Sequence, residues 1–177
     1  RYEPKDFRCR RPDGKGGWLW SMKGVEPVPY RLPELLVALE RGERVFIVVE
    51  GEKDVDSLAK INLTATCNHG GAGKWTEAHS RYFPAGAEVV ILPDADQPGR
   101  DHAEKVARSL SARGCRVRVL ELPSLPAKGD VSDWLAAGGT KEELLRLAAE
   151  APEWEAVEAE QDGGTGKEET KKESQAD

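Results

Sequence analysis

The sequence predicts an α/β domain built on a parallel four-stranded sheet that is flanked by helices. From residue 44 to residue 150, short apolar runs alternate with longer amphipathic stretches, which is the order expected of repeated strand–helix units. The runs at 45–49 and 89–92 are apolar throughout, as strands covered on both faces usually are. Both runs end in acid, at Glu50 and at Asp94. Ligands of such sheets bind beyond the carboxyl ends of the strands, so we expect the chemistry there.

The predicted elements follow one another at regular intervals. Pro33 in the first turn and Gly42 beyond the last one predict a helix over 33–41. The four strands are predicted at 45–49, 63–67, 89–92 and 117–120, and the remaining helices at 52–61, 75–83, 98–113, 130–136 and 141–149. Connections between parallel strands are right-handed and place helices on both faces. We therefore assign residues 44–150 to one domain.

Residues 1–43 form a segment that precedes this domain and is basic at its start. Residues 1–31 hold eight basic and four acidic side chains. Trp18 and Trp20 alternate with Leu19, as in a short strand or hairpin. Basic residues among aromatic ones suit the phosphates and bases of a nucleic acid, and the alternative is that the tryptophans pack this arm onto the domain. The basic side chains that we assign to nucleic-acid binding are Arg8, Arg10 and Arg11.

Residues 151–177 form an acidic tail. They hold nine acidic residues and three lysines, which accounts for the formal net charge of −6 of the whole chain of 177 residues. Residues 1–150 are therefore neutral. Because a segment with so few apolar side chains cannot bury enough surface to fold, we expect the tail to be disordered.

Composition excludes several classes of protein. No apolar run approaches the roughly 18 residues of a membrane-spanning helix, and no secretory signal stands at the N-terminus, so we expect a cytoplasmic protein without a membrane partner. The three cysteines, Cys9, Cys67 and Cys115, are far apart. An odd number at such spacing argues against a disulfide framework and offers no Cys-x-x-Cys zinc pair.

Two aspartates, Asp94 and Asp96, directly follow the apolar run at 89–92. Residues i and i+2 of an extended segment project in the same direction, which brings the two carboxylates together. Oxygen ligands without His or Cys beside them favour Mg²⁺ or Mn²⁺ over zinc. The alternative is a solvated turn in which these residues cap the helix that follows.

The first strand is followed by a second acidic motif, Glu50-Gly51-Glu52-Lys53-Asp54. Glu50 emerges at the carboxyl end of the strand, and Gly51 permits a tight turn. Asp54 falls on the first turn of the next helix and faces back toward Glu50. Its simpler role there is to complement the helix dipole.

Together, Glu50-Gly51-x-x-Asp54 and Asp94-x-Asp96 resemble the Toprim domain, a Rossmann-like fold shared by bacterial primases, topoisomerases and some nucleases. The similarity runs over about 44–149 and is closest to primases of phages, plasmids and integrated elements. It implies that Glu50 is a general acid or base, that Asp94 and Asp96 hold Mg²⁺ and that Asp54 lies near the metal. A dication stabilises the charge that phosphoryl chemistry places on phosphate oxygens, and a glutamate among carboxylates has a raised pKa and exchanges protons near neutral pH.

Asp130 and Asp133 stand where the resemblance implies acids for a second metal ion. Their spacing departs from the Asp-x-Asp of chromosomal primases, which puts Asp133 in doubt as a ligand. The structural alternative is that Asp130 or Ser132 caps the helix that follows.

Three cations near the predicted strand ends are candidates for binding phosphate. Lys74 ends the Gly-rich turn at 70–74, which is not a Walker A motif because Trp75 follows Gly-Lys. The turn either cradles a phosphate through backbone N–H groups or is a flexible loop. Arg100 carries a guanidinium fork that matches phosphate oxygens, and Lys53 lies within the first acidic motif.

The resemblance predicts a metal-dependent nucleotidyltransferase, namely the catalytic part of a DNA primase of a mobile element. Its implied partners are a single-stranded DNA template, nucleoside triphosphates and a replicative helicase. Primases of this kind usually carry a zinc-binding module or a helicase P-loop, and this sequence contains neither, so its activity in isolation is left open. The alternatives are a Toprim nuclease and a catalytically idle domain that binds nucleic acid or a replication partner.

Overall fold

A computed structural model describes residues 9–156 of the protein. Arg8 and most of the predicted tail, residues 157–177, lie outside the described residues. None of the helices within 9–156 is long and apolar enough to cross a membrane. The elements are β1 (Arg11–Pro12), β2 (Trp18–Leu19), α1 (Leu32–Glu40), β3 (Val45–Val48), α2 (Glu52–Lys60), β4 (Ala65–Thr66), α3 (Glu77–Ser80), β5 (Glu88–Ile91), α4 (Gln97–Ser111), β6 (Arg116–Val119), α5 (Val131–Ala136) and α6 (Lys141–Glu150).

The predicted parallel four-stranded sheet is confirmed, with the strand order β4-β3-β5-β6. In the centre of the sheet Val48 lies opposite Ile91, and Ile91 lies opposite Val119 on the outer strand. Strands that run in the same direction present their carboxyl ends at one edge. The residues that follow β3 and β5 therefore meet there.

The sheet is buried on both faces because successive side chains of a strand point to opposite sides. Phe46 belongs to one hydrophobic cluster, which includes residues of α1 and α4, and Ile47 belongs to the other, which includes residues of α2, α5 and α6. In β5 the same alternation separates Val89 from Val90. The continuous apolar runs of the sequence thus reflect two cores, one on each face.

The prediction of a helix over 75–83 is wrong in its extent, since α3 spans only Glu77–Ser80. Trp75 lies before the helix and is fully buried, where its indole N–H donates to Ser80 Oγ at 2.7 Å. Thr76 and His79 form a capping box that starts the helix after Trp75. Burial of one large side chain therefore outweighs the helical pattern.

The segment around Trp18 forms a hairpin, as its alternating pattern indicated. β1 and β2 pair antiparallel, with Arg11 opposite Leu19. Trp18 is 52% exposed and Trp20 is 65% exposed. Because most of each indole is open to solvent, the two tryptophans do not anchor the arm in the core.

Packing continues past residue 150, where the sequence analysis placed the start of the tail. The backbone N–H of Trp154 donates to the carbonyl of Val117 at 2.7 Å, and Glu153 forms an antiparallel bridge with Arg118. The Trp154 indole packs against the first hydrophobic cluster and donates to Glu104 Oε2 at 2.9 Å. These residues cover the outer edge of β6.

We expect Trp154→Ala to lower the free energy of unfolding by about 1–3 kcal/mol, because the protein loses packing against the core and one hydrogen bond. Urea denaturation of the full chain measures the change. Trp20→Ala is the matched control, and its exposed indole predicts a change within about 0.5 kcal/mol. Equal stability of the Trp154 variant and the wild type would show that residues after 150 do not support the fold.

Candidate active site at the strand ends

The carboxyl ends of β3 and β5 bring Glu50 and Asp94 together. Glu50 comes two residues after Val48 and Asp94 three residues after Ile91, and these two strand residues lie opposite each other. The charge of Glu50 acts on Asp94, and the charges of Asp54, Asp130 and Asp96 add to it. The sheet therefore gathers acids from three loops into one region.

Glu50 has a buried carboxylate oxygen, Oε1, without a hydrogen-bond partner in the described part of the chain. Burial, followed by the charges of Asp96 and Asp54, raises the pKa of Glu50. A raised pKa makes this carboxylate a stronger base than an ordinary glutamate.

Asp94 responds to the same surroundings more strongly. Burial, followed by the charge of Glu50 and weaker contributions from the other acids, raises the pKa of Asp94 to about 7. The ionised form is thus disfavoured unless a cation lies nearby.

Asp96 is the N-cap of α4, as the structural alternative in the sequence analysis predicted. Its Oδ1 atom accepts the N–H of Gly99 at 2.9 Å. The cap uses this one oxygen, and a carboxylate has two oxygens with several lone pairs. Capping and metal binding are therefore compatible for Asp96.

Gly99 is a site residue that the sequence analysis missed. A Cβ atom at this position would lie 2.5 Å from the carbonyl oxygen of Asp94 and 2.9 Å from Glu50 Oε1. Only glycine lets the first turn of α4 approach both groups so closely. A glycine inside the first turn of an otherwise good helix was the available signal.

Asp54 lies on α2 and is buried where this helix meets α5. It is 5% exposed, and its Oδ1 atom accepts the hydroxyl of Ser132 at 2.5 Å. Burial raises the pKa of Asp54, and the hydrogen bond from Ser132 opposes the rise. Ser132 was considered only as a helix cap, and its role as a partner of Asp54 depends on two helices meeting.

Asp130 and Asp133 form a capping box at the start of α5. Asp130 Oδ1 accepts the N–H of Asp133 at 2.9 Å, and Asp133 Oδ2 accepts the N–H of Asp130 at 3.1 Å. Lys53 Nζ lies 2.8 Å from Asp130 Oδ2. Burial acts to raise the pKa of Asp130, but the bonds from Lys53 and the backbone prevail and hold this pKa below its ordinary value.

The Gly-rich turn is fastened to α4. The N–H of Gly73 donates to His102 Nδ1 at 2.9 Å, and Lys105 Nζ donates to the carbonyl of Gly73 at 2.7 Å. Burial, with the charge of Lys105, lowers the pKa of His102 to about 4, so the ring is neutral at pH 7. Lys74 and Arg100 are exposed beside this turn and along α4, and neither forms an ion pair within residues 9–156.

Comparisons with known proteins identify the family of this domain. A family model described as Toprim-like matches residues 47–135. The chain belongs to the Toprim-like family. The matched range includes Glu50, Asp94 and Asp130, so the acidic strand ends of the sheet lie within the Toprim-like domain.

Relatives of this Toprim-like chain include a phage protein and solved primases. The gene 57 protein of Mycobacterium phage D29 is 31% identical over 140 residues, which are 78% of this chain and 83% of that protein. A DNA primase domain from Pseudomonas aeruginosa is 28% identical with a TM-score of 0.57, over 81% of this chain and 46% of that one. A DnaG primase catalytic domain bound to single-stranded DNA is 25% identical with a TM-score of 0.52, over 66% of this chain and 38% of that one. The chain thus spans less than half of each of these two solved primases.

In the N-terminal hairpin, the side chain of Arg10 lies over two tryptophan rings. The guanidinium of Arg10 lies 4.1 Å from the centre of the Trp18 ring and 5.4 Å from that of Trp20. Arg11 Nε is buried and has no hydrogen-bond partner in the described residues. The hairpin therefore presents a mixed cationic and aromatic surface to solvent.

The Toprim-like site contains donors that suit a hard dication. Among residues 9–156, no three His, Cys, Asp or Glu side chains form a group that could hold a metal ion. Asp96, Asp54 and Asp130 each accept a hydrogen bond from a donor of their own. Glu50 retains a buried oxygen without a partner, and Asp94 has a pKa of about 7. A dication held by these two carboxylates would relieve both features, and the oxygen-only donor set fits Mg²⁺ or Mn²⁺.

The raised pKa of Asp94 predicts how the stability of the metal-free protein depends on pH. Folded Asp94 keeps its proton up to about pH 7, whereas the unfolded chain releases it near the ordinary value of 3.8. Protonated Asp94 therefore stabilises the folded state at low pH. This contribution is lost as the pH rises from the ordinary value of 3.8 through about 7. We expect Asp94→Asn to reduce the difference in unfolding free energy between about pH 5 and about pH 8.

Urea titrations with a chelator present measure this difference. Asp101→Asn, on the exposed face of α4, is the control and should keep the pH dependence of the wild type. The same pH dependence in the wild type and Asp94→Asn would contradict the burial of this carboxyl among the other acids.

Proposed function

We propose that this chain is the catalytic Toprim part of a DNA primase, which joins nucleotides on a single-stranded DNA template with the help of Mg²⁺ or Mn²⁺. One observation carries the proposal: the carboxyl of Glu50, with a buried oxygen that has no partner, lies beside the strand-end acid Asp94. The solved relatives are DNA primases, which supports the same conclusion. Such an activity belongs in the cytoplasm, beside a replicative helicase.

Glu50 is the proton acceptor in this proposal. Nucleotidyl transfer requires a hydroxyl to lose its proton as it attacks a phosphate. Burial and the neighbouring acids raise the pKa of Glu50, which makes it a stronger base than an ordinary glutamate. Asp54, fixed by Ser132, keeps a second negative charge close to Glu50.

Asp94 and Asp96 are the proposed metal ligands. A dication bound there supplies positive charge to the phosphate oxygens. Asp96 is oriented by its bond to Gly99, and the absence of a side chain at Gly99 leaves room for the backbone of Asp94. The carboxylates are thus held by the first turn of α4.

The cations around this edge are proposed to bind the phosphates of the nucleotide and template. The turn that ends at Lys74 is tied to α4 through Gly73, so its backbone is held in place before a ligand arrives. Arg100 and Lys53 are exposed and can reach phosphate oxygens. The backbone of this turn, which is held in place, and the exposed cationic side chains together suit the binding of a triphosphate.

The hairpin arm is proposed to hold the single-stranded template. Trp18 and Trp20 offer exposed ring faces on which bases stack, and Arg10 lies against both rings. Arg8 and Arg11 complete the basic set that contacts phosphates. Stacking and cationic contacts of this kind bind single strands without strict sequence preference.

We expect Glu50→Gln to slow primer synthesis by roughly 10²–10⁴-fold, because the reaction loses its base. Labelled nucleoside triphosphates, a single-stranded template and Mn²⁺ provide the assay for the full chain. Asp96→Asn should lose Mn²⁺ binding in a calorimetric titration, while Asp101→Asn, on the exposed face of the same helix, should bind as the wild type does.

Two results would contradict the proposal. Equal Mn²⁺ affinity in the wild type and Asp96→Asn would show that Asp96 is not a ligand of the metal ion and would contradict the proposed metal site. Nicking of labelled DNA without any synthesis would assign the acids to a nuclease instead.

The arm makes a separate prediction about DNA binding. Replacing Arg10 and Arg11 by Glu should weaken binding to single-stranded DNA and flatten its salt dependence by roughly 0.7 in slope per lost phosphate contact. Trp20→Ala should cost about 1–3 kcal/mol through lost stacking. Fluorescence anisotropy at several salt concentrations measures both, and Arg41→Glu, an exposed charge reversal after α1, is the control. An unchanged slope would mean that the arm does not contact the template.

A further inference from the structure

Lys53 and Asp130 form an ion pair among the acidic strand ends. We propose that the ammonium group of Lys53 takes the place of a second metal ion, so that this chain binds one dication at Asp94 and none at Asp130. The inference rests on the proposed metal-dependent function and specifies the number of ions that serve it. It departs from the two-metal arrangement that the acids after the fourth strand suggested.

Both oxygens of Asp130 are already engaged. Oδ2 lies 2.8 Å from Lys53 Nζ, and Oδ1 accepts the backbone N–H of Asp133 at 2.9 Å. Asp133 in turn directs its Oδ2 atom to the N–H of Asp130, at 3.1 Å. A dication at Oδ2 would therefore have to displace Lys53 from Asp130.

The spacing of the two acids explains this arrangement. In the pair Asp94-x-Asp96 the residues lie two apart in extended backbone and project in the same direction. Asp130 and Asp133 are three apart and enclose the first turn of α5, so each side chain caps the other's backbone. The second pair is therefore built to start a helix.

Lys53 is held close to Asp130 by the contact between α2 and α5. Ser132 Oγ donates to Asp54 Oδ1 at 2.5 Å and lies 3.0 Å from Ser57 Oγ, which fastens the first turn of α5 to α2. Lys53 stands next to Asp54 on the same turn of α2. Its ammonium consequently remains near Asp130 whenever the two helices are in contact.

The charge of Lys53 opposes a second dication. Even in water, a dication about 4 Å from an ammonium is repelled by enough to weaken its binding more than tenfold. The Lys53 side chain is 65% exposed, and an ammonium has three N–H donors. The donors that Asp130 does not use are free for a phosphate oxygen, so Lys53 supplies the positive charge that a second ion would bring.

The number of Mn²⁺ ions bound per chain tests the inference without an activity assay. Calorimetry and the electron paramagnetic resonance signal of free Mn²⁺ both measure this number on the full chain. We expect one ion in the wild type and two in Lys53→Met, with the added ion lost again in the double variant Lys53→Met, Asp130→Asn. Lys60→Met removes an exposed lysine from the last turn of the same helix and should leave the number at one.

Asp130→Asn alone provides a second test that does not depend on the folding of the Lys53 variant, and one ion should remain bound to it. Two ions in the wild type, falling to one in Asp130→Asn, would overturn the inference and leave the proposed function standing. One ion in both the wild type and a folded Lys53→Met would also overturn it. No binding by the wild type would overturn the proposed function itself, and the inference with it.

Discussion

The parallel pairing of β3 and β5 is the interaction on which the site depends. With Val48 opposite Ile91, the two strands end side by side and release Glu50 and Asp94 at the same edge. Both strands are covered on both faces, so these carboxyls emerge from a dry core. A shift of one residue in this register would turn the side chains to the other face and separate the acids.

Burying several acids together is unfavourable, and the chain reduces the repulsion by giving most of them a separate donor. Asp96 accepts a backbone N–H, Asp54 accepts the hydroxyl of Ser132, and Asp130 pairs with Lys53. The pKa of Asp54 is raised in spite of its donor, as are those of Glu50 and Asp94. Glu50 and Asp94, to which we assign proton transfer and metal binding, are the two raised acids whose carboxylates accept no hydrogen bond within the described residues.

Helix α4 connects the two halves of the proposed site. Its first turn packs against the backbone of Asp94 through Gly99, and its second and third turns hold the peptide of Gly73 through His102 and Lys105. One rigid element thus sets the position of the carboxylates and that of the Gly-rich turn. A movement of this helix would alter both at once.

The sequence alone determined the sheet and the acids at its strand ends, because a short apolar run followed by a charged residue is a local pattern. It did not determine the partners of those acids. The bonds from Ser132 to Asp54 and from Lys53 to Asp130 join residues 78 and 77 positions apart, and they form only because α2 packs against α5. Packing of the same kind shortened the helix after Trp75, whose burial overrode a local preference. Tertiary structure decided these features because contacts between distant segments depend on how whole elements meet, which no local pattern records.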